Sequence, residues 1–200
     1  VCSSDLQGCE YWPTPLVNTV GLGFSFAVGV VNVNEEAVTV RVNRAGMLVA
    51  ERTVAPGALD TITLPWVDEL TFNQSTVDNV QRSVQVDSGA YHLTSNLPII
   101  VYQFNPLEYR RDGDCPEETD NEEDNACFSY SNDASLLLPV HALGNEYIVL
   151  SYPSLALQFP QGQIVGNAGS FQVIATGLGE TEVSITFSAD VAEEINGAFP

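Results

Sequence analysis

Helical periodicity is almost absent from this chain, and two-residue alternation is frequent. FSFAVGVVNV (24–33) places Phe24, Phe26, Val28 and Val30 on one face. AVTVRVN (37–43) sets Val38, Val40 and Val42 against Thr39, Arg41 and Asn43. Similar patterning predicts strands at 47–54, 58–65, 83–86, 90–95, 99–104, 134–138, 146–152, 170–176 and 182–188. Alternation of this kind belongs to extended chain, whose side chains point to opposite faces in turn. Turn-forming residues separate the segments: Asn34-Glu35, Ala45-Gly46, Pro56-Gly57, Asp87-Ser88-Gly89, Gly177 and Gly179. Many short strands at this spacing predict an all-β fold, an antiparallel β-sandwich.

One internal repeat stands out. FAVGVVNVNEEAVTVRV (26–42) aligns without a gap on FQVIATGLGETEVSITF (171–187). Phe26 meets Phe171, Val28 meets Val173, Glu35 meets Glu180, and Val38 meets Val183. The shared register favours duplication over the chance likeness of any two alternating segments. Each copy reads as a hairpin turning near the shared Glu. The organisation expected is a terminal segment 1–9, a sandwich domain over 10–152 with an insert at 110–129, and the start of a second similar β-module over 153–200.

Charge narrows the setting. The 26 acidic residues face 6 basic ones, all Arg, for a net charge of -20. Nucleic acid and anionic lipid are excluded as partners, because phosphate binding needs clustered cations. Self-repulsion of this size is tolerable where salt screens it or divalent cations neutralise it. No apolar run is long enough to form a transmembrane helix. The chain opens on VCSSDLQGC without a signal-peptide pattern, so it is expected to be a mature fragment of an exported protein.

The 4 cysteines fall in two local pairs, Cys2 with Cys9 and Cys115 with Cys127. Three pairings are open to four cysteines, and local closure is the one expected. Zinc would want closer Cys spacing with His nearby. A disulfide across the 115–127 loop would stabilise by about 3 kcal/mol on the chain-entropy model and implies an oxidising compartment. Around that loop Asp112, Asp114, Glu117, Glu118, Asp120, Glu122, Glu123 and Asp124 crowd together. Hard cations take six to eight oxygen ligands, which such a Gly-containing segment supplies; Asp112, Asp114, Glu117, Glu118 and Asp120 are the calcium candidates. The D-x-D-x-D-G frame of an EF-hand is not completed. The competing reading, to which the sequence leans slightly, is a solvated acidic loop. Arg110 and Arg111 can pair with its first carboxylates, and Tyr109 and Tyr130 flank it as candidate contact residues.

Two phrases bracket this insert: AYHLTSNLPIIVYQFNPLEY (90–109) and YSNDASLLLPVHALGNEYIV (130–149). They resemble the amino-terminal domain family of IgGFc-binding proteins, and more closely its bacterial, myxobacterial-type secreted homologues. GCEYWPTPLVN (8–18), Val54 to Leu59, Leu64-Pro65 and the 171–187 pair resemble the family as well. The likeness spans roughly residues 8–188, with 98–107 and 131–144 as its distinctive parts. It implies an extracellular, β-rich, tandemly repeated protein that binds or adheres, and it brings no catalytic motif. A specific ligand would follow only by analogy. The Cys-bracketed insert is where this chain departs from the family pattern.

The remaining polar residues favour structural roles. Asn132 and Asp133 suit a ligand contact, but an Asx turn ahead of ASLLL is the preferred reading. His92 and His141 lack any G-x-S-x-G or H-E-x-x-H context. Paired carboxylates for glycoside hydrolysis have no positive support. The expected function is a secreted or cell-surface binding and adhesion module without catalysis. A self-assembling extracellular structural protein is the first alternative and an extracellular hydrolase the second. Its partner is an extracellular protein or glycan, or copies of itself. No cofactor is required, and calcium is the one ion the insert suits. If the carboxylates do hold calcium, millimolar calcium raises the melting temperature and chelator reverses the rise; an unchanged melting curve contradicts the metal reading.

Overall fold

The computed structural model describes residues 6–16, 23–71, 84–113, 120–121, 126–129, 132–150, 155–158, 164–167, 171–177 and 179–186. Its strands are β1 (Gly8–Tyr11), β2 (Phe26–Val31), β3 (Val38–Arg44), β4 (Met47–Val54), β5 (Leu59–Leu64), β6 (His92–Asn105), β7 (Arg110–Asp112), β8 (Asp120–Asn121), β9 (Ala126–Phe128), β10 (Asp133–Leu136), β11 (Leu155–Gln158) and β12 (Ile164–Asn167). Every pairing among them is antiparallel. The fold is all-β.

The body is a seven-stranded sheet in the order β4-β3-β6-β2-β5, with β1 and β10 also paired to β6. β6 serves two sheets. Its first half pairs with β3 and β1, with Val42 opposite Leu93 and Tyr11 opposite Leu93 on the other side. Its second half pairs with β2 and β10, with Val30 opposite Val101 and Ser135 opposite Gln103. Residues 96–98 form the corner between the halves, where β1 shifts register between Gly8 and Glu10. Pro98 cannot donate to a ladder, so a bulged corner is where a strand can carry it. β4 and β5, at the two ends of the order, come into contact, and the sheet nearly closes on itself.

Alternation puts the core between the two halves. Phe26, Val28 and Val30 of β2 meet Val38, Val40 and Val42 of β3, and all six are 0 % exposed. Leu93, Ile99 and Val101 of β6, Ile62 and Leu64 of β5, Tyr11 and Tyr91 complete the cluster. Burying each Val or Leu contributes about 1.5–3 kcal/mol. The two core tyrosines need partners for their hydroxyls. Tyr11 donates to the Ile99 carbonyl (2.5 Å) and accepts from the Gly8 amide, while Tyr91 donates to the Pro65 carbonyl (2.5 Å). Burial pushes the Tyr11 phenol up to about 12, the Gly8 bond pulling the other way, so it stays a donor at any physiological pH.

The sequence reading of 26–42 as a hairpin is corrected here. β2 pairs with β5 and β6, β3 pairs with β4 and β6, and the two do not pair with each other. They flank the same long strand in different halves of the sheet, and residues 32–37 cross between them. Asn32, 0 % exposed, holds that crossing. Its Nδ2 donates to the carbonyls of Glu36, Val54 and Ala55, and its Oδ1 accepts from the Asn34 amide and Asn34 Nδ2. The Asn32 amide donates to the Ala58 carbonyl, so the β2–β3 and β4–β5 crossings are tied together. Asn34 Nδ2 satisfies the Pro98 carbonyl at the β6 corner, and Asn96 Oδ1 from that corner accepts from the Thr39 amide of β3.

Other differences follow from pairing. The segments expected at 90–95 and 99–104 are one strand, because the corner bends the chain without ending the ladder. β3 and β4 do form a hairpin, turning through Ala45 (φ 50) and Gly46 (φ 76), the left-handed pair a two-residue turn requires. No strand forms over the described parts of 83–86, 146–152, 170–176 and 182–188. Instead β11 and β12 make a separate two-stranded sheet. Extended propensity needs a partner to become a strand, and in these segments no described residue provides one.

Replacing Asn32 by Ala takes the Nδ2 donor from the carbonyls of Glu36, Val54 and Ala55 and the Oδ1 acceptor from the Asn34 amide. The expected loss is about 3 kcal/mol in urea unfolding with an unchanged slope. A loss under about 0.5 kcal/mol would contradict the role given to this side chain.

Candidate binding site

The two phrases on either side of the insert lie next to each other in space. β10 runs antiparallel to the second half of β6, with Asp133 opposite Asn105, Ala134 opposite Phe104 and Leu136 opposite Tyr102. The intervening stretch is therefore the connection of a β6–β10 hairpin. Inward positions at this end of β6 turn polar and buried, at Gln103 and Asn105. Gln103 Oε1 accepts from the Thr14 amide (2.9 Å), and Asn105 grips both the amide and the carbonyl of Leu16. These side chains lash the segment after β1 across the end of the core.

Glu108 then fixes the start of the insert. Its carboxylate accepts from the Ser25 amide (2.8 Å) and from the Ser25 hydroxyl (2.7 Å), and the Leu107 amide donates to the Ser25 carbonyl (2.8 Å). Sequence reasoning missed this clamp, since nothing local marks Glu108 as a partner of a residue 83 positions away.

The insert is not a bare loop. Its two ends fold into a three-stranded sheet in the order β7-β9-β8. Arg110 lies opposite Phe128, and Asp112 opposite Ala126. Ala126, Cys127 and Ser129 are buried, and the Ser129 amide and hydroxyl both donate to the Tyr109 carbonyl. Alternation along β7 sends its two arginines to opposite faces. Arg111 reaches back to the Gly23 carbonyl. Arg110 lies over the Phe128 ring, 5.6 Å from its centroid, and pairs with the Asp112 carboxylate at 3.1 Å. The expected pairing of an arginine with the first insert carboxylate is thus present at Arg110. Tyr109 stands edge-on to Phe128 with centroids 5.9 Å apart and is 50 % exposed.

Tyr109, Arg110 and Phe128 therefore make one cation–aromatic cluster on a buried base. Tyr130, Asp114, Glu117, Glu118, Cys2 and Cys115 fall outside the described residues, and Asp120 is described in its main chain alone. Neither Cys9 nor Cys127 is a free thiol. Among the described residues, no three of His, Cys, Asp and Glu come close enough to hold a metal ion.

The remaining candidates separate clearly. Asn132 and Asp133 are exposed and make no side-chain hydrogen bond among the described residues, so the expected Asx turn is corrected. Strand pairing of Asp133 with Asn105 organises this point instead. His92 stacks on Trp12 at 4.5 Å and meets Glu10 Oε1 at 2.9 Å, both on the β1 side of the sheet. His141 sits in the short 3-10 turn Val140–Ala142. A polar concavity of about 410 Å³ on the outer face of β3 and β6 is lined by Thr39, Arg41, Thr94, Ser95 and Asn96. Its guanidinium is already paired with Glu51 (2.5 Å).

Residues 133–198 match the model of a family described as IgGFc binding protein. The match opens on the first residue of β10 and includes β11 and β12. It covers most of the second of the two phrases. The first lies outside it but is hydrogen-bonded to it through β6 and β10. The family points to an extracellular binding module, and no helix among the described residues is long and apolar enough to cross a membrane. No curated protein matches the chain, and no solved structure does.

Proposed function

We propose that this chain is a secreted or cell-surface module that binds an extracellular protein, in the manner of the bacterial, myxobacterial-type homologues, and carries out no catalysis. The observation that carries the reading is the platform under the insert. Glu108 and Ser25 lock one end, Ser129 and Tyr109 join the two ends, and the β7-β9-β8 sheet fixes their spacing. Preorganised supports of this kind lower the ordering cost of binding. Tyr109 and Arg110 are of the residue types that dominate protein interfaces, and Phe128 orients both.

In this reading disulfides join Cys2 to Cys9 and Cys115 to Cys127, and the second keeps the acidic segment in one closed loop. Tyr130 and Arg111 are further contact residues in this reading. Calcium on Asp112, Asp114, Glu117, Glu118 and Asp120 would set the loop's charge and shape when bound. A basic surface on the partner suits the loop without metal. The immunoglobulin Fc region is the first partner to try, on the strength of the IgGFc-binding family that residues 133–198 match.

The test compares the chain with a version whose residues 114–125 are replaced by a Gly-Ser linker, using immobilised Fc and a panel of extracellular matrix proteins. Binding by the parent that the replacement and Tyr109→Ala both abolish, with thermal unfolding unchanged, supports the proposal. Binding that survives the replacement, or binding to none of the panel, contradicts it.

A further inference from the structure

Residues 171–186 carry a burial pattern that nothing among the described residues satisfies. Phe171, Val173 and Val183 are the counterparts of Phe26, Val28 and Val38 in the gapless match of 26–42 with 171–187. The first three are 40 %, 56 % and 47 % exposed, whereas their counterparts are all 0 % exposed. Exposed apolar side chains whose counterparts form a core mark a surface that a partner covers. A second sign lies in the same segment. Gln172 Nε2 donates to the Pro15 carbonyl (3.1 Å), but its buried Oε1 has no donor among the described residues. Buried acceptors are ordinarily paired, so a donor is missing at this position.

The first copy shows what kind of partner would fit. Residues 26–31 and 38–44 do not close on each other. Both are buried by one long strand, which takes β3 along its first half and β2 along its second. That strand alternates apolar residues on either side of an Asn-Leu-Pro corner. The chain's own β6 has no room for more, since β1 and β10 fill its remaining edges.

We propose that residues 171–186 are the receiving half of a second unit, and that they dock one bent strand of the β6 type supplied by a neighbouring unit of the same kind. The strand runs between 171–176 and 182–186 as β6 runs between β2 and β3. Its main chain supplies ladder hydrogen bonds and its alternate side chains cover Phe171, Val173 and Val183, the mode of strand addition. The proposal rests on the repeat and is independent of what the acidic insert binds.

The test adds a synthetic peptide of residues 90–107 to the intact chain and follows amide hydrogen exchange. Exchange over 171–176 and 182–186 is expected to slow by about tenfold or more. The same peptide with Ile99→Asp and Val101→Asp, or the chain carrying Val173→Asp, is expected to lose that protection. Unchanged exchange over 171–186 overturns the proposal. So does protection that appears on concentrating the chain without peptide, because β6 of a second copy is already enclosed by β1, β2, β3 and β10 and some other surface would then be the partner. Loss of protection in β2 and β3 also overturns it, because the peptide would then have displaced the resident β6.

Discussion

One strand has to satisfy two sheets at once, and the rest of the molecule is arranged around that demand. β6 keeps Leu93 in the core before its corner and Ile99 and Val101 in the core after it. A corner of three residues, 96–98, interrupts the regular ladder, and its main-chain groups need other partners. Asn34 Nδ2 donates to the Pro98 carbonyl and the Ser95 hydroxyl to the Leu97 carbonyl, while Asn32 joins the β2–β3 crossing to the one between β4 and β5. Short polar side chains thus hold the bend that lets the aliphatic strands close over one core.

The same strand positions the candidate site. Past Val101 its inward positions become Gln103 and Asn105, which bind main chain from residues 14 and 16 and seal the end of the core. From there the chain leaves through Glu108, folds the small sheet beneath the insert, and returns as β10 against the edge of β6. The insert is hung from both strands of one hairpin. Tyr109 and Arg110 are exposed at its start, while Ala126, Cys127 and Ser129 at its end are buried.

Local alternation made β2, β3, β4, β5 and both halves of β6 legible in the sequence, since each buries one face and wets the other. Pairing was not legible. The alternation of 26–31 and 38–44 is the same whether they form a hairpin or flank a third strand, and Asn32, which decides the matter, looks like any loop residue. The strong patterns at 146–150 and 171–186 mislead for a related reason. They record a preference for extended chain, and a strand also needs a neighbour. At the insert, the bracketing phrases and the flanking Tyr109 and Arg110 could be read directly. The Ser25–Glu108 clamp could not, because it joins residues distant in sequence through side chains with no local pattern. β7 to β9 were hidden by their length, two or three residues each.

The central claim is that β6 is a single cooperative strand shared by both sheets. Native-state amide hydrogen exchange along residues 92–105, followed against denaturant, tests it most directly. The account predicts that ladder amides before and after the corner exchange together, through the same global opening that limits β2 and β3. Two halves opening at different denaturant concentrations, one with β3 and one with β2, would contradict it.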